Sequence, residues 1–234
     1  MWFNGTTFPG TYTAVLGSHG SGSNSSFWAV YVHDSNGVFI FGNGGELIGG
    51  GGSISTNEWY HYAATRDTSG NLITYLNGVA VNTATGKTGT FDSSSAIRIA
   101  DDLHNSNPSF DGKISNCSIY SSALTEDQIL TIYNGGVPND ISSLSPVGWW
   151  SLAGDSYYNG TNFTCPDLSS NSNNGTSSSM GGTELVGDGP GSTANGIATS
   201  MNIPENLQGN APNSTKNAFS INMTETDRET NVPS

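Results

Sequence analysis

The chain has 234 residues, with six Lys or Arg against 19 Asp or Glu and a formal net charge of -13. That acid surplus repels phosphate, and six cations cannot build the basic stripe that nucleic-acid binding draws on, so nucleic acid is excluded as a partner; no apolar run reaches membrane length, so membrane insertion is excluded too. Charged residues make up only 11% and glycine fills 31 positions, a composition that selects short strands and many turns over long helices, in one sandwich core or one core plus a smaller unit.

Met1-Trp2-Phe3 opens the chain without a basic run followed by an apolar one, so no signal peptide is read there. Downstream, Trp28, Tyr31, Asn43 and, further on, Asn107 are aromatic and amide groups of the kind a shallow glycan-binding rim uses. Aromatics alternating along a strand also serve as core, and both readings stand. The glycines from Gly49 to Gly52 lack a following Lys-Ser or Lys-Thr and read as a loop, not a phosphate cradle. Trp59, Tyr60 and Tyr62 then lead into the turn Asp67-Thr68-Ser69-Gly70, alternation resumes at Leu72, and Asn77-Gly78 turns the chain into Val79 and Val81. This predicts three antiparallel strands in a local meander.

A strand from Ala96 to Ala100 precedes Asp101-Asp102 and a loop rich in Asn and Ser oxygens. Phe110-Asp111-Gly112-Lys113-Ile114 predicts another strand running to Tyr120, and Ala123-Leu124-Thr125-Glu126-Asp127-Gln128-Ile129 a short helix. Taken together, the Glu58 to Val81 meander and the Phe110 to Ile129 segment resemble the laminin-G-like, concanavalin A-like lectin/glucanase sandwich modules. The resemblance spans roughly the first 135 residues. It implies an all-β, antiparallel β-sandwich of jelly-roll type, here followed by an extended, β-rich C-terminal arm.

The same resemblance implies a calcium ion at the sandwich rim, for which Asp101, Asp102 and Asp111 are the nearest hard-oxygen ligands. The alternative is that they cap loop turns. His19, His33, His61 and His104 show no ligand spacing, so zinc is not indicated, and His61 reads as a structural strand residue. Only two cysteines occur. Cys117 falls where the resembled modules carry an aliphatic residue and is expected to be a buried free thiol, while Cys165, before Pro166, is expected in a turn; one bridge between them is the alternative.

Asn134 to Asp140 reads as the end of the helix and a linker, which divides the chain into a sandwich (1–135), a linker (136–146) and a C-terminal segment (147–234). Val147-Gly148-Trp149-Trp150-Ser151-Leu152 followed by Asp167 to Thr176 resembles the opening of a module, not its end. Three readings stay open: strands that complete the first sandwich as in a circular permutant, a truncated second module, or the end of a longer polypeptide, the last being preferred. Beyond it a 22-residue repeat, 209 minus 187, places Ile197 and Met201 in one copy and Phe219, Ile221 and Met223 in the other. Each copy offers one apolar strand face, and these five residues are the candidate assembly contacts.

No Ser-His-Asp spacing, GxSxG elbow or HExxH motif is present, and Glu225-Thr226-Asp227-Arg228-Glu229 reads as a solvated tail, so no enzyme is expected. The Asn-x-Ser/Thr sequences at Asn24, Asn162 and Asn213 are expected by chance in this composition. The C-terminal segment resembles, more loosely, the tails of laminin-G-like structural proteins of marine bacteriophages. This implies a virion structural protein, a capsid decoration or fibre subunit on the virion surface, assembling as a homo-oligomer or with other virion proteins. The alternative is an extracellular, calcium-dependent, carbohydrate-binding adhesin or lectin facing a host glycan.

Overall fold

The structure, a computed structural model, describes residues 1–18, 28–33, 37–42, 46–88, 96–100, 110–177, 180, 184–191, 200–202 and 219–221; within 38–42, 46–51, 200–202 and 219–221 it describes backbone alone. The strands in chain order are β1 (Trp2–Gly5), β2 (Thr13–Ser18), β3 (Trp28–His33), β4 (Gly37–Gly42), β5 (Glu46–Gly51), β6 (Tyr60–Arg66), β7 (Leu72–Leu76), β8 (Val79–Ala84), β9 (Ile97–Ile99), β10 (Gly112–Ser115) and β11 (Cys117–Ile119). The helix α1 (Glu126–Tyr133) follows, then β12 (Gly148–Trp150), β13 (Tyr157–Tyr158), β14 (Phe163–Cys165), β15 (Gly175–Ser177), β16 (Leu185–Val186), β17 (Ser200–Asn202) and β18 (Phe219–Ile221). Among the described residues they form a seven-stranded sheet ordered β16-β17-β10-β1-β6-β7-β8, a nine-stranded sheet ordered β13-β14-β15-β18-β9-β2-β3-β4-β5, and the pair β11-β12. Every pairing is antiparallel.

The β6-β7-β8 meander follows from local turn chemistry. Asp67 accepts hydrogen bonds from the Asn71 amide and side chain at 2.8 and 2.7 Å, closing the first turn. Asn77 and Gly78 both take left-handed backbone, with φ of 51° and 78°, the combination that a two-residue hairpin requires. A Cβ at Gly78 would also stand 2.9 Å from the Tyr133 ring, so the tight turn and the seat for α1 need the same glycine. The helix begins on a capping box: the Gln128 amide donates to Thr125 Oγ1, and Gln128 Oε1 accepts from the Thr125 amide at 2.8 Å.

One main core lies between the sheets. From β1, β2, β3 and β10 come Phe3, Val15, Val30, Val32 and Ile114; from beyond the linker come Trp150, Leu152, Phe163 and Cys165 in the same cluster. Trp150 and Phe3 are both fully buried, and the Trp150 indole N–H donates to the Asn173 carbonyl at 2.8 Å. Burial of each such side chain contributes about 1.5–3 kcal/mol. Residues on both sides of the linker therefore share one hydrophobic core.

Two local expectations need correction. The strand read from Ile114 to Tyr120 breaks at Asn116, whose φ of 48° turns β10 of the seven-stranded sheet into β11 paired with β12. Asn116 tolerates that conformation because its short amide bonds locally, here to Ser115 Oγ at 2.9 Å. Cys165 is no turn residue: it closes β14, paired with Gly175, fully buried. Both cysteines are buried free thiols, and burial pushes each thiol up to about 12.

Trp2 and His61 lie on the far face of the seven-stranded sheet, under α1. His61 is 1% exposed, with ring centroids 4.9 Å from Trp2 and 6.0 Å from Tyr133, and among the described residues neither imidazole nitrogen has a hydrogen-bond partner. Burial, and next the Met1 ammonium, hold its pKa well below the ordinary 6.5, so it is neutral in the fold. An unfolded chain takes up a proton at His61 that the folded chain refuses. The stability this neutral group contributes is therefore fully present above pH 6.5 and lost as pH falls toward the folded pKa. Between pH 6.5 and about pH 5 unfolding free energy is expected to drop by up to about 2 kcal/mol, and His61→Phe is expected to flatten that slope in urea melts across the range.

Candidate functional site

At one end of the nine-stranded sheet the chain makes a short hairpin, β13-β14, whose register pairs Tyr157 with Thr164 and Tyr158 with Phe163. The connection is tied by Asn159, whose side-chain oxygen accepts from the amides of Thr161 and Asn162 at 2.9 and 2.8 Å. Phe163 is 1% exposed in the core, so Thr164, one residue on, points to the outer face, and Tyr157 opposite it does the same. Because β13 has no neighbour on its far side among the described residues, both tyrosines stay open to solvent, at 52% and 44% exposure. Phenol rings held this way present an apolar face and a hydroxyl at once, the pair of functions with which proteins meet sugar rings. Exposed Thr176 continues the outer face beside Thr164.

A buried polar knot holds this end of the sheet. The Asp167 carboxylate, on a residue 8% exposed, accepts from the Trp149 amide at 2.8 Å, the Ser169 amide at 2.9 Å, Ser169 Oγ at 2.8 Å and the Asn173 amide at 2.9 Å. Its own amide donates to Asn174 Oδ1 at 2.9 Å, and a β-bridge links it to Trp150. The alternating Asp167-Leu168-Ser169-Ser170-Asn171-Ser172-Asn173 pattern looks like a cation loop by spacing. Its geometry is the reverse: the carboxylate faces N–H and O–H donors, so it organises a turn and has no oxygen turned to a metal. Ser151 Oγ donates to Asp155 at the start of the hairpin.

The sequence-derived candidates are scattered by comparison. Trp28 is half-buried and packs on the main core. Tyr31 is 5% exposed, clustered with Ala14 and Ala29 and 5.9 Å from Tyr12 edge-on, so its ring is not presented as a plate. Asn43 and Asn107 lie outside the described residues, as do Asp101, Asp102, Ile197, Met223 and the Glu225 to Glu229 run. Asp111 is tied to β1's end: Thr7 Oγ1 donates to its carboxylate at 3.0 Å and the Thr6 amide to its carbonyl at 2.9 Å. Among the described residues no group of three His, Cys, Asp or Glu side chains is placed to hold a metal ion.

For three of the assembly candidates the backbone gives a place in the sheets. Met201 sits in β17 between β10 and β16, and Phe219 and Ile221 in β18 between β9 and β15, so both strands are paired along both edges within the chain. The repeat supplies one strand to each sheet. Along the described residues of β17 and β18, strand pairing on both edges is made within the chain. Residues 184–191 are further tied down where Trp59 Nε1 donates to the Asp188 carbonyl at 3.1 Å and Lys113 pairs with the Asp188 carboxylate.

Sequence reasoning missed Tyr157 and Tyr158. Two adjacent aromatics send their rings to opposite faces of a strand, and a fully covered strand rarely needs both; standing before Asn159-Gly160, they carried a usable signal of an edge hairpin.

Comparison with known proteins agrees with this architecture. A crystal structure of a candidate carbohydrate binding protein from Bacteroides ovatus superposes with a TM-score of 0.54 at 22% identity, covering 71% of this chain and 47% of that one, so this chain spans about half its length. A native heptameric SAP-like pentraxin from Limulus polyphemus gives a TM-score of 0.43 at 17% identity, covering 56% of this chain and 66% of that one. The curated proteins contain no match. The family described as the Concanavalin A-like lectin/glucanases superfamily matches residues 1–130, more than half of the chain. With that match and the antiparallel sandwich in hand, the chain belongs to the concanavalin A-like lectin/glucanase superfamily.

Proposed function

We propose that this lectin-like sandwich is a non-enzymatic glycan-binding module whose contact surface is the β13-β14 hairpin end of the nine-stranded sheet. The observation that carries the reading is the exposure of Tyr157, at 52%, on the outer face of an edge strand beside exposed Thr176. The name given to the Bacteroides ovatus protein, a candidate carbohydrate binder, is consistent with it. Stacking a sugar ring on one phenol face buries apolar area at about 25 cal/mol per Å2, on the order of 2 kcal/mol, so hydrogen bonds from nearby polar groups must supply the remainder of a millimolar affinity.

The setting proposed is a virion surface, on the looser resemblance of the C-terminal segment, with an extracellular adhesin as the alternative. Assembly there would draw on Ile197, Met201, Phe219, Ile221 and Met223 of the repeat, through contacts other than strand pairing at β17 and β18. Calcium enters the proposal through Asp101, Asp102 and Asp111, the ligands that the family resemblance implies.

A glycan array followed by calorimetry is the test. Tyr157→Ala is expected to weaken the best ligand about tenfold, some 1.4 kcal/mol, while Tyr158→Ala, on the other face of the strand, leaves the affinity within about twofold, both with little change in melting temperature because both side chains are exposed. Chelator arms decide whether calcium takes part. If neither substitution changes the affinity of any glycan that the chain binds, the hairpin is not the site.

A further inference from the structure

The Asn159-Gly160 step at the tip of the β13-β14 hairpin folds a side-chain amide back onto its own main chain. Both residues are exposed, and Gly160 takes left-handed backbone with φ of 96° in open space, where a Cβ would meet nothing within 4 Å. Asn159 Oδ1 accepts from the Thr161 and Asn162 amides at 2.9 and 2.8 Å. The first of these bonds closes an Asx turn, in which the side chain stands in for a backbone carbonyl and Cγ is folded toward the Gly160 nitrogen. Attack of that nitrogen on Cγ puts negative charge on Oδ1, the atom at which both amides are already aimed, so the turn holds an oxyanion hole and a positioned nucleophile together.

The other Asn-Gly pairs among the described residues lack this arrangement. Asn4 and Gly5 are paired in β1 with Lys113 and Gly112. Asn77 and Asn174 turn their oxygens to amides distant in sequence, those of His61 and Asp167, both at 2.9 Å. Asn134 and Gly135 are exposed, as Asn159 and Gly160 are, but the Asn134 side chain is held by its nitrogen, which donates to the Val137 carbonyl at 3.0 Å. The pairs that begin at Asn36, Asn43 and Asn195 fall on residues outside the described ones.

We propose that Asn159 is a self-modifying site, deamidated by its own hairpin with water as the co-reactant. The Gly160 nitrogen gives its proton to hydroxide and bonds to Cγ; the Cγ–Nδ2 bond breaks, and Nδ2 leaves as ammonia with a proton from water, closing a cyclic imide. Water then opens the imide at Cγ, giving aspartate, or at the main-chain carbonyl carbon, giving isoaspartate. No atom is oxidised or reduced. Isoaspartate carries the main chain through Cβ and Cγ, so the bond from the Asn159 amide to the Asn162 carbonyl, at 3.0 Å, and the register of Tyr158 with Phe163 lose their spacing. The modification loosens β13 from the sheet edge as the protein ages, whether or not the hairpin meets glycans.

The test ages the full chain at mildly alkaline pH, folded in buffer and unfolded in guanidinium chloride, and follows the peptides that hold Asn159 and Asn134 by mass spectrometry. In the folded chain Asn159 is expected to convert about tenfold faster than Asn134, with isoaspartate among its products; in denaturant, where neither side chain is held, the two rates are expected to lie within about twofold of each other. An Asn159 rate in the folded chain at or below that of Asn134, or a ratio that unfolding leaves unchanged, overturns the proposal.

Discussion

Trp150→Ala is expected to cost about 3–5 kcal/mol of unfolding free energy, measured by urea or thermal melts. The residue is fully buried among groups from both ends of the chain, and its indole N–H is satisfied by the Asn173 carbonyl. Truncation removes the apolar burial, leaves a cavity that rigid neighbours on two sheets cannot collapse into, and strands the Asn173 carbonyl. For a fold whose whole stability is of the order of 5–15 kcal/mol, a melting temperature lower by roughly 10 °C or more follows. Trp149→Ala provides the contrast. Trp149 belongs to a smaller cluster with Ile132 and Ile141, and its loss should loosen the α1 region more than the sandwich. If Trp150→Ala melts within a degree or two of the parent, residues 147–152 are not part of the core.

Asp167→Ala is the second large effect, expected at about 3 kcal/mol, because the amides of Trp149, Ser169 and Asn173 lose their acceptor together and each unsatisfied buried donor costs about 1–3 kcal/mol before water refills the gap. Asp167→Asn keeps one oxygen and turns an NH2 group toward donors, so it should lose a substantial part of the same energy even though its volume is unchanged. Hydrogen exchange at the Trp149 amide is the direct readout, with protection falling in both variants. Unaltered protection would show that the knot is held by Leu168 N–H to Trp149 O, at 2.7 Å, and by the Asn171 and Ser169 bonds to the Val147 carbonyl instead.

The parts of the fold that could be read in the sequence are those that short-range chemistry determines. The β6-β7-β8 meander needs only the Asp67 to Asn71 loop and the Asn77-Gly78 turn, and α1 needs Thr125 and Gln128 three residues apart. What could not be read depends on partners distant in sequence. Asn116 lies between apolar residues that prolong a strand equally well, and only the positions of β1 and β12 show that the chain must change sheets there. Cys165 before Pro166 looks like a turn until β15 is placed beside it. The end proposed for glycan contact behaves the same way: tyrosines read as core or plate according to which strand lies at the edge, and that is a property of sheet order. Tyr31 has neighbours on both sides and is buried, while Tyr157 stands at the sheet edge.

The shared core also sets an order of events during synthesis. Phe3, Val15 and Val30 leave the ribosome well over a hundred residues before Trp150, Leu152 and Phe163, which complete the same cluster. Until then the earlier strands hold an apolar face with part of its cover missing, and non-local pairings of this kind are slow to close. The nascent chain must keep that face from meeting others of its kind, and the acid surplus of residues 1–149, 11 Asp or Glu against four Lys or Arg, supplies mutual repulsion while it waits.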